Sequence, residues 1–139
     1  MQADPNPPLP EAQARRVRLM LWASLLVSQL IYAGILLSGL VPVAEEPMAL
    51  PLPAILGVAA ALTGAAGHFF WRRASGDGAT IHASAPEPAA AHTSYVIAWV
   101  LDESIAIYGL VLGFLAFPMT TWSLFSVAAF VLMLLHRPR

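Results

Sequence analysis

Two neighbouring carboxylates, Asp102 and Glu103, lie in an otherwise apolar run that extends from Ile97 to Phe117. A run of this length can form a helix that crosses a lipid bilayer, where a charged side chain at the centre costs about 2.5–3.5 kcal/mol or more. Acidic side chains at that depth are rare, and they often bind and release a proton. The two acids are therefore the first candidates for chemistry in this chain.

The composition is that of a membrane protein. Of the 139 residues, 58% are hydrophobic and 11% are charged, whereas a soluble domain carries about 25% charged residues. The mean hydropathy is +0.70. The chain has no cysteine, which excludes disulfides and thiolate metal sites. The histidines are scattered and show no ligand spacing, so we expect no enzyme, no cofactor, no metal and no nucleic-acid partner.

Four apolar runs predict four transmembrane helices, at about residues 19–41, 50–71, 94–117 and 120–136. Residues 1–14 contain four prolines and little apolar content, and they predict a disordered tail. Residues 74–93 are rich in Ala, Gly, Ser and Pro and predict a mobile cytoplasmic linker. The fold class expected for residues 15–139 is therefore an all-α integral membrane domain.

The arginines predict the orientation of these helices. All seven lie on one side of the predicted topology, namely before the first run, after the second and after the fourth. Short loops rich in Arg stay in the cytoplasm, so both termini are expected there. The first run is longer than the apolar core of a signal peptide and is expected to be retained. The sequence thus predicts a multi-pass protein of the cytoplasmic (inner) membrane.

Helical periodicity separates the two acids. At about 100° per residue, Asp102 falls on a stripe of small residues, whereas Glu103 projects toward aliphatic side chains. Small residues let helices approach closely, either within the chain or between copies. The expected partners are therefore the lipid bilayer and, where the small residues pack between chains, a second copy or other membrane subunits. The residues predicted to pack helices together are Gly57, Gly64, Ala106, Gly109 and Gly113.

No arginine lies at the depth of the acids, so nothing positive is predicted to neutralise them. Burial and mutual repulsion then favour at least one protonated acid at neutral pH, or a bound cation. A rise of 1.5 Å per residue predicts a polar layer at one depth, made of Glu103, Thr63, Gln29 and Ser126. The Gln29 amide can pair with either form of a carboxyl, or instead with Ser28 or Tyr32 of its own helix. His68 is expected at the membrane interface.

The segment Glu103-Ser-Ile-Ala-Ile-Tyr-Gly-Leu-Val111 resembles the second helix of the rotary ATP synthase c subunit, the proteolipid. In that family a mid-membrane acid carries the translocated proton or sodium ion. The resemblance implies that Glu103 is this acid, that Ser104 is the hydroxyl beside it, and that Tyr108 is the tyrosine that caps it. It also implies that the second and third helices form the c-like hairpin.

The family has two helices, whereas this chain adds one on each side. In that respect the chain is similar to small four-span bacterial membrane proteins of unknown function that carry a c-like helix. Two functions follow. In the first, Glu103 reversibly binds a proton, with Asp102, Ser104, Tyr108, Gln29 and Thr63 around it. In the second, the chain is a structural or accessory membrane protein whose acids stay protonated and only mediate helix packing or oligomerisation.

Overall fold

Four α-helices make up the fold. The computed structural model describes residues 11–40, 42, 44–45, 50–76 and 88–138. The helices are α1 (Glu11–Ser38), α2 (Leu52–Ser75), α3 (Pro88–Phe114) and α4 (Met119–Leu135). These residues contain no β-strand. The predicted all-α class is therefore confirmed.

Three of the helices, α1, α2 and α3, are long and apolar enough to cross a membrane. The fourth, α4, is apolar but has only 17 residues, which corresponds to a length of about 26 Å. Large aliphatic side chains such as Leu30, Val58 and Leu124 are exposed on the outside of the bundle. Outward apolar side chains on long helices are the character of a membrane protein.

Helix α3 is the centre of the bundle. Half of its most apolar segment is buried, against 6% for α1 and for α2. Each of the other helices packs on α3, and α1 also packs on α4. Within the described ranges, α1 and α2 do not pack on each other. Side chains around α3 can therefore meet three different helices, which is the setting of the two acids.

Glycines allow several of these close contacts. A Cβ atom on Gly109 would lie 2.9 Å from the backbone oxygen of Trp122, so only glycine lets α3 and α4 approach this closely. A Cβ on Gly64 would lie 3.3 Å from the Leu132 side chain, and one on Gly113 would overlap the side chain of Leu36. Ala106 is buried in a cluster with Ile105 and Ala129. Among the described residues Gly57 meets no atom within 4 Å, so the contact predicted for it is not formed by them.

Several helix boundaries differ from the sequence prediction. Helix α1 begins at Glu11, inside the predicted tail, and residues 1–10 lie outside the described residues. The predicted linker at 74–93 is shorter because α2 continues to Ser75 and α3 begins at Pro88; residues 77–87 lie outside the described residues. The early start of α3 has a physical reason. Proline is favoured in the first turn of a helix, where its missing N–H is not needed, and the alanines that follow Pro88 have the highest helix propensity.

A tight turn joins α3 to α4. The N–H of Phe117 donates to the carbonyl of Leu112 at 3.1 Å, and that of Ala116 donates to Gly113 at 3.2 Å. Together with a φ of 60° at Ala116, this is a Schellman motif, which satisfies the last carbonyls of a helix. Pro118 then caps the start of α4. Helix α3 thus ends at Phe114, slightly earlier than the predicted run 94–117, and forms a tight hairpin with α4.

Candidate functional site in the helix bundle

Asp102 and Glu103 are both buried in the bundle. Asp102 is fully buried, and Glu103 is 7% exposed. Because neighbouring residues project about 100° apart on a helix, the two carboxylates meet different helices. Asp102 lies against α2 and the end of α4, whereas Glu103 faces α1. The acids are thus held in two separate environments.

Asp102 is paired with a histidine. Its Oδ2 atom lies 2.8 Å from Nδ1 of His136, which follows α4 and is 1% exposed. Gly67 on α2 makes room for the carboxylate, since a Cβ there would lie 3.2 Å from Oδ1. The Oδ1 atom itself has no hydrogen-bond partner among the described residues. Imidazole can carry a charge, so His136 is a group beside Asp102 that the prediction, which considered only arginines, did not include.

A second histidine continues this contact toward the surface. Nε2 of His136 lies 3.3 Å from Nδ1 of His68, and His68 is exposed on α2. Trp71 stacks on His68, with ring centroids 5.7 Å apart. His68 was expected at the membrane interface, and it also belongs to this buried contact. Asp102, His136 and His68 therefore form a continuous line from the interior to the surface.

Three tryptophans hold the end of α4, one from each of the other helices. The last carbonyls of a helix have no partner within the helix and need donors from elsewhere. Each indole N–H donates to a backbone carbonyl oxygen: Trp22 to that of Met133 at 2.8 Å, Trp99 to that of His136 at 2.8 Å, and Trp71 to that of Arg137 at 3.5 Å. These bonds fix the backbone that carries the His136 side chain.

Glu103 is paired with a hydroxyl on α1. Its Oε1 atom lies 2.6 Å from Oγ of Ser28, and the same Oγ lies 2.7 Å from the carbonyl oxygen of Leu25. Tyr32, one turn farther along α1, interacts with the same carboxylate. The Oε2 atom has no hydrogen-bond partner within the described part of the chain. The contacts of Glu103 within the described residues are therefore made by hydroxyl groups.

The residues predicted to form one polar layer with Glu103 lie in different surroundings. Gln29 is buried, but neither of its amide atoms has a hydrogen-bond partner in the described ranges. It lines a cavity of about 250 Å³ together with Ser126 on α4. Thr63 is half-buried on α2. The amide contact predicted for Gln29 is replaced by the hydroxyl of Ser28, because the rotation of α1 turns Ser28 toward Glu103.

Of the two residues assigned by resemblance, one is hydrogen-bonded to its own helix. The Ser104 hydroxyl donates to the Val100 carbonyl of its own helix at 2.8 Å, and Tyr108 is half-buried on α3. The described residues contain no group of three or more acids and histidines that could hold a metal ion. Comparisons with protein-family models, with curated proteins and with solved structures find no match to this chain. The relationship to the c subunit stays a prediction.

His136 is the site residue that sequence reasoning missed. It is the last residue of the fourth predicted run, 120–136, and the sequence pattern assigns it no role. A usable signal was the hairpin itself, because residues equally far from the Pro118 turn lie side by side in an antiparallel pair. Counting from that turn places Asp102 about one helical turn from the end of α4, within reach of His136.

Proposed function

We propose that this chain is a multi-pass protein of the cytoplasmic membrane in which Glu103 reversibly binds a proton. The proposal takes α4 as a fourth span and both termini as cytoplasmic. It is supported by contacts between the helix ends that are predicted to be cytoplasmic. Arg18 on α1 lies over the ring of Tyr95 near the start of α3, and Trp71 near the end of α2 bonds to Arg137 after α4.

The observation that carries the proposal is the pair of short contacts at Ser28. Its Oγ lies 2.6 Å from Glu103 Oε1 and 2.7 Å from the Leu25 carbonyl oxygen. Both of these atoms accept hydrogen bonds when Glu103 is ionised, yet a serine hydroxyl has one proton to donate. When Glu103 is protonated, it donates to Ser28 and Ser28 donates to Leu25. The neutral acid therefore satisfies both contacts at once.

The ionised acid also has a defined partner. If Glu103 releases its proton, the Ser28 hydroxyl rotates and donates to the carboxylate, giving up its bond to Leu25. Hydrogen bonds to ionised groups are roughly twice as strong as neutral ones, which offsets this loss. Tyr32 interacts with the same carboxylate. Proton binding thus requires the rotation of a hydroxyl group and no movement of a helix.

Carbodiimide labelling tests this function, because carbodiimides modify protonated carboxyls in apolar surroundings. In the purified full-length protein we expect labelling at Glu103 that falls as the pH rises and that is abolished in Glu103→Gln. Glu45, which is exposed, offers a matched control, and Glu45→Gln should leave the labelling unchanged. The site of modification is read by mass spectrometry of the labelled peptide.

The alternative function is structural or accessory. It is favoured by the fact that each acid ties α3 to another helix, Glu103 to α1 through Ser28 and Asp102 to the end of α4 through His136. No labelling at any pH, together with normal assembly of Glu103→Gln, would establish this alternative and refute proton binding. An oligomer count by native mass spectrometry tests whether further copies are partners beside the lipid.

A further inference from the structure

The line of Asp102, His136 and His68 is not explained by proton binding at Glu103. A static pair would be complete with Asp102 and His136, yet the contact continues to a second imidazole that reaches the surface. We propose that these three residues form a proton wire that exchanges the proton of Asp102 with the solvent at the end of α2. This inference rests on the proposed function in one respect, that carboxyls buried in this membrane protein exchange protons.

The geometry assigns the tautomer of each ring in turn. Ionised Asp102 can only accept, so Nδ1 of His136 carries a hydrogen and donates to Oδ2 at 2.8 Å. Nε2 of neutral His136 is then an acceptor, so Nδ1 of His68 carries a hydrogen and donates to it at 3.3 Å. Nε2 of neutral His68 is left as an acceptor on an exposed residue. All hydrogen bonds therefore run in one direction, toward Asp102.

This arrangement passes a proton with every charge balanced. A proton from solvent binds Nε2 of His68, and the Nδ1 proton of His68 moves to Nε2 of His136. The Nδ1 proton of His136 then moves to Oδ2 of Asp102. The net change is one proton taken up and one carboxylate neutralised, with both imidazoles neutral in their other tautomers. Transfer in the opposite direction releases the proton and restores the first state.

Aromatic side chains hold the rings in position for this transfer. The Trp71 ring lies 5.7 Å from His68 and 5.4 Å from His136, measured between centroids. The indole of Trp99 binds the His136 carbonyl at 2.8 Å. Transfer along hydrogen bonds needs such fixed donor–acceptor distances.

The groups that act on Asp102 come from α2 and from the residue after α4, whereas the α1 groups act elsewhere. His68 on α2 and His136 after α4 interact electrostatically with Asp102 on α3. From α1, Tyr32 interacts with Glu103, and Arg18 lies over the Tyr95 ring, 5.9 Å from its centroid. The two histidines are therefore the groups through which solvent pH acts on Asp102.

Time-resolved infrared spectroscopy tests the wire in the full-length protein, held in phosphatidylcholine nanodiscs so that both faces meet the solvent. After a rapid drop in pH, Asp102 should give a protonated-carboxyl band that is absent in Asp102→Asn. We expect His68→Gln to slow the rise of this band at least tenfold. His92→Gln, a change of another histidine near the start of α3, should leave the rate unchanged.

A rescue experiment separates proton transfer from a structural effect of the substitution. In His68→Ala, added imidazole should restore the rate toward the wild-type value, because His68 is exposed and a free imidazole can replace its ring. An unchanged rate in His68→Gln, no rescue by imidazole, or no Asp102 band at any pH would each overturn the wire. Labelling of Glu103 is measured separately, so its loss would contradict only the proposed function.

Discussion

Ser28 on α1 and Glu103 on α3 are joined by a contact of 2.6 Å in the interior of the bundle, although 75 positions separate them in the chain. The resemblance to the c subunit assigned the neighbouring hydroxyl to Ser104. That hydroxyl instead donates to the Val100 carbonyl at 2.8 Å. The environment of the acid is therefore completed by a different helix from the one that carries it.

Substitution of the two serines separates these assignments. Ser28→Ala removes the hydroxyl that donates to ionised Glu103, and bonds to ionised groups are stronger than those to neutral ones. We therefore expect carbodiimide labelling of Glu103 to persist to a pH about one unit higher. Ser104→Ala should leave the pH dependence as it is in the wild type. A shift in Ser104→Ala without one in Ser28→Ala would instead favour the assignment made by resemblance.

Glycine substitutions should have opposite effects at two positions. In Gly109→Ala, the new Cβ would lie 2.9 Å from the Trp122 carbonyl oxygen and 3.0 Å from Phe125 Cβ, so α3 and α4 must separate. We expect the free energy of unfolding to fall by about 1–3 kcal/mol. Gly57→Ala meets nothing within 4 Å, and it should be neutral or stabilising by up to about 1 kcal/mol. Unfolding in sodium dodecyl sulfate, followed by circular dichroism, measures both, and equal effects would contradict the packing described.

The turn between α3 and α4 offers a stabilising change. Ala116 has a φ of 60°, a left-handed conformation that costs a residue with a Cβ roughly 1–2 kcal/mol. Ala116→Gly should therefore raise the free energy of unfolding by up to about 1 kcal/mol, part of the gain being lost to the greater freedom of glycine in the unfolded chain. Ala128→Gly, at an exposed position within α4, is the matched control and should destabilise by about 1 kcal/mol. Thermal unfolding in detergent compares the two, and the same sign for both would refute the strain at Ala116.

The helices were predictable from the sequence because each is marked by an apolar run, and three of these helices have the length that a bilayer-spanning helix requires. Their ends were less predictable. The stretch after Pro88 was assigned to a linker by its composition, although a proline followed by alanines is also a favourable helix start. Composition averages over a segment, whereas a helix end depends on the order of a few residues.

The burial of Asp102 and Glu103 was also predictable, but their partners were not. Whether Ser28 or Gln29 faces Glu103 depends on a rotation of α1 by about 100°. A helix that is apolar on nearly all sides gives no pattern that fixes this rotation. In the same way, the pairing of Asp102 with His136 depends on the hairpin register of α3 and α4, which the depth estimate of 1.5 Å per residue does not give.

The three indole bonds to the end of α4 have a consequence for biogenesis. Trp22, Trp71 and Trp99 belong to helices that leave the ribosome before α4 does, since synthesis proceeds from the N-terminus. Until α4 joins the bundle, the His136 imidazole and the carbonyls of Met133, His136 and Arg137 are missing from it. Docking of α4 therefore brings the imidazole and these carbonyls into the bundle together. A nascent bundle that has not yet received α4 lacks the imidazole that lies 2.8 Å from Asp102, which distinguishes it from the finished protein.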